Sequence, residues 1–364
     1  MPTDGRRRIL DVPMDEQGPD ATGIDPWYLE NLACPRDHAP LALDGAALRC
    51  TAGHRYPVID GLPVMLLDDV SQTMPLALAS MSRARGEAGD GRVPGMYLES
   101  LGISDEEKAG IVSQVQAGTS AVDPVVSFLV GATSGYMYAH QIGKLTVYPI
   151  PHLRLPPGDG RSLLDIGCNW GRWSIAAARA GYAVVGIDPS LGAVMAARRV
   201  ARSMGLPIRH VVGDARFLPF RPGGFDQAFS YSVVQHLSRA DAGTVVAEIA
   251  RVLRPGGESL IQMPAIFGIR CLYHLARRHF RDGAGFEVRY WTIPALRRLF
   301  AAVGPSTIEV DCYFGIGLQA ADAHLMPPGL RLILGASEAL RLASGWFAPL
   351  TYVADSVYVR TTKA

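Results

Sequence analysis

The stretch LLDIGCNWGRWSIAAA, Leu163–Ala178, decides the fold. Leu163 to Ile166 form a short apolar run of strand type. Gly167-Cys168-Asn169-Trp170-Gly171 is a tight turn, and Arg172 opens an alanine-rich, helix-forming run. A strand, a glycine-spaced turn and a helix in direct succession aim backbone N–H groups at a ligand beyond the strand's carboxyl end. A dinucleotide-binding turn places small residues at its second and third fingerprint positions, where this chain has Asn169 and Arg172. The spacing that survives is Gly-x-Asn-x-Gly, with Asp165 two residues before it. Asn is the residue other than glycine that most readily takes positive φ, so Asn169 can hold the turn open.

Outward from this turn, strand-type runs recur at 162–166, 183–187, 208–212, 226–231 and 258–263, with helical stretches at about 172–181, 190–204 and 240–253. Such alternation predicts an α/β, doubly wound, mostly parallel sheet. STIEVDCYFGI and DSVYVRTT add two strands, which makes seven, and the apolar stretch at about 319–352 reads as a helical insertion between them. Upstream, 96–160 reads as a helical cap. Ser104 before DEEKAGIVSQVQ is a helix start with a hydroxyl cap and acids in the first turn, and YMYAHQIGKLTVYPI reads as a second helix. Asp188 follows Asp165 by 23 residues, the distance at which a βαβ unit sets a second strand end beside the first. Taken singly, Asp188 also reads as a helix start, Asp214 as a turn residue and Asp165 as a cap.

Together these segments resemble a class I S-adenosylmethionine-dependent methyltransferase from 162 to about 263. LLDIGCNWGR is similar to that family's first motif, VVGIDPS to its second, GDARFLPF to its third, FDQAFSYSVVQHL to its fourth and RVLRPGGESLI to its fifth. The resemblance implies a Rossmann-like fold with S-adenosyl-L-methionine as cofactor. The residues it implies for cofactor binding are Asp165, Gly167, Cys168, Asn169, Gly171, Asp188, Pro189, Asp214, Ala215 and Tyr231. Within that set Asp188 holds the ribose hydroxyls, and Asp214 with the Ala215 N–H holds the adenine. The loop after the fourth strand faces the transferred methyl group, which makes His236 the candidate catalytic base, with the opening of a helix as its plain alternative. His140, with Tyr136 and Tyr138, is a second candidate for ligand contact. The loop reads YSVVQH rather than the Asn/Asp-Pro-Pro-aromatic tetrapeptide of enzymes that methylate planar nitrogens, which favours an oxygen, carbon or sulfur acceptor.

Residues 1–26 read as a flexible leader, 27–67 as a small β module, 68–95 as a linker and 161–364 as the methyltransferase domain with its insertion. In the module, CPRDH and CTAGH give two C-x-x-x-H pairs, Cys34 and His38, Cys50 and His54. Two thiols and two imidazoles are the ligand number and type a structural zinc takes. The surroundings resemble the zinc-ribbon activator subunit of tRNA and release-factor methyltransferases. That family uses a C-x-x-C knuckle where this chain has Asp37 and Gly53, so two readings stand: His38 and His54 complete a zinc site, or the ribbon holds without metal.

The totals bound the function. A net charge of +1 over 364 residues gives no electrostatic case for nucleic acid. Five scattered cysteines make no disulfide framework, and the arginines at 6–8 lack the apolar run of a signal peptide. Charged residues interrupt the longest apolar stretch, so a cytoplasmic protein with no membrane span is expected. Its expected partner is a small-molecule, lipid-linked or sugar-linked acceptor, with Arg270, Arg277, Arg278 and Arg281 near the acceptor side. The competing readings are an rRNA or tRNA methyltransferase and a non-catalytic scaffold that binds cofactor and recruits a partner through the ribbon. Oligomeric state is not legible.

Overall fold

The computed structural model describes residues 24–364 apart from Ala88, Asp90, Thr119 and 316–319, so the leader at 1–23 lies outside the described residues. Asp25 caps the Trp27 N–H and Pro26 fills the first turn, which starts helix α1, Pro26–Asn31. Strands β1 (Leu41–Leu43), β2 (Ala47–Cys50), β3 (Arg55–Ile59) and β4 (Leu62–Pro63) then form an antiparallel sheet in sequential order. Helices α2 (Pro75–Ala84), α3 (Asp105–Ala117) and α4 (Pro124–Ser134) follow. Ser104 and Glu107 make a reciprocal capping box on α3, and Gly118 ends it at φ 61°.

The expected second cap helix lies elsewhere. The chain is helical over α4, tightens to a 3-10 turn at Gly135–Gln141 and is irregular from Gly143 (φ 71°) onward. Pro149 and Pro151 deny the segment after it the N–H groups and backbone angles a helix needs.

From Ser162 the alternation takes over: β5 (Ser162–Ile166), α5 (Arg172–Arg179), β6 (Ala183–Asp188), α6 (Leu191–Ser203), β7 (Arg209–Val212), β8 (Phe225–Ser230), α7 (Arg239–Val252), β9 (Leu253–Pro264). Helices α8 (Ile269–Arg277) and α9 (Ile293–Phe300), strand β10 (Ser306–Cys312), helix α10 (Pro328–Ser344) and strand β11 (Ser356–Thr362) complete the chain. The seven strands lie in the order β10-β11-β9-β8-β5-β6-β7, with β5 to β9 parallel and β11 antiparallel to both its neighbours, so that β10 runs with β5 to β9. This is a Rossmann-like sheet. Its strand order reverses at β5, between β6 and β8, and a crevice opens there at the carboxyl ends.

The N-terminal sheet covers the β7 edge. Val64 bridges Val212 in parallel, the Met65 N–H donates to the Val212 carbonyl at 2.7 Å, and the Tyr28 hydroxyl donates to the His210 carbonyl at 2.8 Å. An edge strand that would otherwise expose unpaired backbone is thereby closed. Tyr28, Leu32, Cys34, Leu48 and Tyr56 join one buried core with Val211, Phe220 and Phe225 of the large sheet.

Candidate functional site

At the β5 switch the glycine turn bounds a cavity of about 670 Å³. Gly167 stands at φ 76°, and a β-carbon there would lie 2.2 Å from Cγ2 of Val233, so only glycine fits. Asn169 takes φ 47°, as its residue type allows, and its side chain accepts from the Trp170 N–H at 2.8 Å. Its backbone N–H donates to Asp188 at 3.0 Å, and the Ser190 N–H donates to the same carboxylate at 2.9 Å. Asp188 thus ties the turn to the end of β6 while lining the cavity. Burial pushes its carboxyl up to about 6, against the pull of these two backbone donors.

Gly167, Cys168, Asn169, Asp188, Pro189, Asp214, Ala215, Tyr231 and His236 all line the one cavity. Asp165 and Gly171 do not. Asp165 is buried beneath the turn, accepts from the Ser174 hydroxyl at 2.6 Å, and is pushed up to about 7 by desolvation. Gly171 caps α5 at φ 84° and makes room for Ala197. Both stand behind the loop, off the cavity lining. Asp214 lies in a bidentate pair with Arg216, whose guanidinium also donates to the Ser71 carbonyl at 2.8 Å.

The opposite wall is polar and buried. Tyr231 donates to Asp311 at 3.2 Å and Ser356 donates to the same acid at 2.9 Å. Arg154 lies 3.4 Å from Asp311, and the Gln262 side chain accepts from the Ser232 N–H at 2.8 Å. Burial raises the Asp311 carboxyl although Arg154 and both hydroxyls oppose it. His236 stacks on Phe286 with ring centroids 4.1 Å apart, and its Nδ1 meets the Phe286 carbonyl at 2.7 Å. A carbonyl only accepts, so Nδ1 carries the proton and Nε2 is left as the acceptor, 3.2 Å from the Gln235 amide. Burial lowers the His236 titration, and Arg289 adds to that.

His140 does not reach this cavity; its Nε2 meets the Leu325 carbonyl at 2.8 Å and its ring is exposed. The side chain of Tyr136 lies outside the described residues. Tyr138 is fully buried and donates to Asp322, which also pairs with Arg172 at 2.9 Å.

Residues that motif reading passed over complete the site. Gln72, Thr73, Met74, Leu76 and Ala77, from a segment read as a linker, form part of the cavity wall. Helix α2 holds them there through Ser80, which donates to the Pro189 carbonyl at 2.8 Å and accepts from the Leu191 N–H at 2.9 Å. The available signal was Pro75 followed by an apolar, helix-forming run. Arg270, His274, Phe286 and Tyr290 also line the wall, on and after α8.

In the N-terminal sheet the clustered side chains differ from the expected four. The structure gathers Cys34, Asp37, Cys50 and His54, with ligand atoms all within 4.8 Å of one another. His54 Nδ1 lies 3.4 Å from Cys34 Sγ, 3.3 Å from Cys50 Sγ and 3.2 Å from Asp37 Oδ2. His38 stands outside the cluster and is exposed. Its backbone turns left-handed (φ 57°) and its N–H donates to the Cys34 carbonyl at 2.8 Å, while the Asp37 carboxylate reaches His54 Nδ1 at 3.2 Å.

Comparison with known proteins places this geometry. Residues 163–257 match the family described as a methyltransferase domain. A ubiquinone biosynthesis O-methyltransferase of Caulobacter vibrioides is 37% identical over 102 residues, covering 28% of this chain and 40% of that protein. An uncharacterized methyltransferase of Mycobacterium sp. (strain JLS) is 32% identical over 170 residues, covering 47% and 64%. Among solved structures, the phosphoethanolamine N-methyltransferase 2 of Haemonchus contortus in complex with S-adenosyl-L-methionine is similar at 23% identity and TM-score 0.39, covering 57% of this chain and 50% of that one. The chain thus spans about 40% of the length of the first of these relatives. With the matched segment set in a seven-stranded, mostly parallel sheet and its acid-flanked glycine turn opening on a cavity, residues 163–257 of this chain are a methyltransferase domain.

Proposed function

We propose that this chain methylates an oxygen of a small or lipid-linked acceptor, with His236 as the base that takes the acceptor proton. The observation that carries the reading is the fixed tautomer of His236 on the cavity wall: Nδ1 is spent on the Phe286 carbonyl, and Nε2, which accepts from the Gln235 amide at 3.2 Å, is the basic atom, open to an acceptor hydroxyl once that amide gives way. The cavity fits the cofactor on its own features, a glycine turn with no space for a β-carbon and a buried acid beside it. Asp188 would accept from the ribose hydroxyls, and Asp214 and Ala215 would border the adenine. When bound, S-adenosylmethionine supplies a sulfonium methyl carbon open to displacement by an electron pair held behind it. The residues of the chain do the rest: the turn orients, the Tyr231–Asp311–Ser356 wall excludes bulk water, and His236 Nε2 holds the proton. An oxygen acceptor is supported by the name of the C. vibrioides relative and by the YSVVQH loop.

The test is turnover with hydroxylated acceptors and labelled cofactor. His236→Ala should lower kcat on the order of 100-fold with little change in cofactor affinity. The base form of histidine exists above its pKa, so the rate should rise with pH and then level off. Because burial lowers that pKa, the plateau of kcat at saturating cofactor should be reached at lower pH than for an ordinary histidine, and His236→Gln should abolish the acid limb of kcat. An unchanged kcat and pH profile in both variants would remove His236 from the reaction.

The N-terminal sheet supports a structural role for zinc as part of the same reading. Edges of about 3.3–3.8 Å are what a tetrahedral Zn²⁺ with sulfur and nitrogen ligands imposes; His54 Nδ1 lies 3.2 to 3.4 Å from the other three ligand atoms, Cys50 Sγ lies 3.7 Å from Asp37, and all four atoms are within 4.8 Å of one another. Cys34, Asp37, Cys50 and His54 would hold it and lock the hairpins that cover β7. Elemental analysis should find one zinc per chain in the wild type and none in Cys50→Ser, whereas His38→Ala should keep it. Chelation should lower the melting temperature, because an ion bound only by the folded state contributes its binding energy to folding. Metal-free wild type with full stability would refute this.

A further inference from the structure

A helix packed on a sheet needs one apolar stripe, yet α8 and α10 each carry two. On α8 the inward side is Cys271 and Leu275, with Arg270 and His274 at the cavity. Its outward side is Ile269, Leu272, Tyr273 and Ala276, spaced i, i+3, i+4 and i+7 and all exposed, Ile269 by 66%. Phe267 before the helix and Phe280 after it are exposed as well. On α10 the inward side is Leu334 and Ser337, the latter bonded to the Tyr313 backbone. Outward stand Leu332, Ala336, Ala339 and Leu342, and the helix runs into Trp346, 95% exposed, and Phe347.

These surfaces meet at one end of the sheet. The Asp355 carboxylate accepts from the Arg270 and Cys271 N–H groups at 2.8 and 3.1 Å, which fixes the start of α8 against the chain that leaves the 3-10 turn Ala348–Val353. Asp355 also packs on Gly268, where a β-carbon would lie 2.4 Å from its Cα, so exposed Val353 and Tyr352 stand two and three residues along the chain from this contact with the start of α8, at the carboxyl end of β9 where the cavity opens. The segment 267–281 holds no Asp or Glu and exposes Arg277, His279 and Arg281, while the acids that follow are engaged, Asp282 by Arg239 at 2.9 Å and Glu287 by Arg278 at 3.7 Å.

We infer that this face docks on a bilayer surface bearing anionic phospholipids. Trp346, Phe347, Tyr352 and the outer stripe of α8 enter the interface, and the α8 arginines meet headgroup phosphates. An exposed apolar stripe edged by arginine, with tryptophan and tyrosine at its border, is the composition that lies in the headgroup region, and surface arginines attract anionic lipid. A second copy of the chain suits it less well, since a two-fold contact sets a patch against itself and would bring the α8 arginines together. No described helix is long and apolar enough to cross a membrane, so the contact is peripheral. The outer face of α8 touches lipid while its inner face walls the cavity, so the acceptor class this favours is an amphiphile dissolved in the membrane. That last step rests on the proposed methyl transfer; the docking does not.

The test uses the full chain and extruded vesicles of phosphatidylcholine with and without phosphatidylglycerol, read by flotation. The wild type should float with the anionic vesicles and far less with the neutral ones. Arg277→Glu with Arg281→Glu should lower the partition coefficient by about tenfold or more, since each basic residue near the surface contributes roughly fivefold. Leu342→Ser with Trp346→Ser should lower it comparably while leaving melting temperature and cofactor affinity unchanged, because both side chains are largely exposed. Failure to float with either vesicle, equal binding to both, or a dimer that Trp346→Ser dissociates would each overturn the inference. Vesicle binding is read without turnover, so its failure is distinct from a failure of methyl transfer.

Discussion

Asp188→Ala is expected to weaken S-adenosylmethionine binding on the order of 1,000-fold in calorimetric titration, with S-adenosylhomocysteine affected alike. Hydrogen bonds to a charged group contribute about 1.5–3 kcal/mol each, and two ribose hydroxyls on one carboxylate reach that factor. The substitution also frees the Asn169 and Ser190 N–H groups, so the turn loses its tie to β6. Asp188→Asn separates the two effects, since an amide oxygen can still hold a backbone donor but carries no charge. The sign of the pH dependence follows from burial. The Asp188 carboxyl titrates at about 6, above its ordinary 3.8, and the ionised form is the better acceptor of two hydroxyls. Affinity should therefore be full above pH 7 and weaken as pH falls through 6, by about tenfold at pH 5 if binding requires the carboxylate. Asp188→Asn should flatten that slope. An unchanged dissociation constant in Asp188→Ala would remove the acid from the cofactor site.

Asp322→Ala should cost about 3–5 kcal/mol of folding stability, the range found when one partner of a buried ion pair is removed. Arg172 opens helix α5 at the very place where a dinucleotide loop needs a small residue, and it is buried with Asp322 at 2.9 Å. Tyr138 donates to the same carboxylate and lies under the guanidinium, 5.7 Å from its centre. The triad joins the glycine-turn helix, the cap before β5 and the segment between β10 and α10. Without Asp322 the Arg172 charge would remain buried and poorly compensated, and the melting temperature should fall by on the order of 10 °C. Arg172→Met with Asp322→Leu should recover most of the loss, because an apolar pair of similar size needs no compensation. A melting temperature unchanged in Asp322→Ala would show that the pair contributes nothing, and no recovery in the double variant would place the loss elsewhere.

Reading by periodicity succeeded where the determinants are local. The strand and helix runs from 162 to 263 stand out because alternation between period two and period 3.6 is written in consecutive residues. Ser104 and the acids after it announced a helix start for the same reason, as a cap and the amides it satisfies lie within one turn. The 143–151 stretch misled because its apolar content resembles a helix while its prolines and Gly143 forbid one. That Asp37 rather than His38 joins Cys34, Cys50 and His54 lay beyond spacing, since it depends on how the turn at 35–38 sets its side chains against residues of the next hairpin. The pocket role of 72–77 was equally hidden, because it depends on Ser80 reaching Pro189 across more than a hundred residues.

By itself, the sequence determined the alternating architecture, the glycine turn and the acids that follow it at the strand ends, because backbone sterics, capping and hydrophobic period act over a few residues. Tertiary structure alone decided which acid faces the cavity and which supports it, what Arg172 pairs with, and which apolar stripe of α8 and α10 stays uncovered. Those outcomes depend on contacts between segments far apart in the chain, and a helix with two apolar faces carries no local mark of which one it will bury.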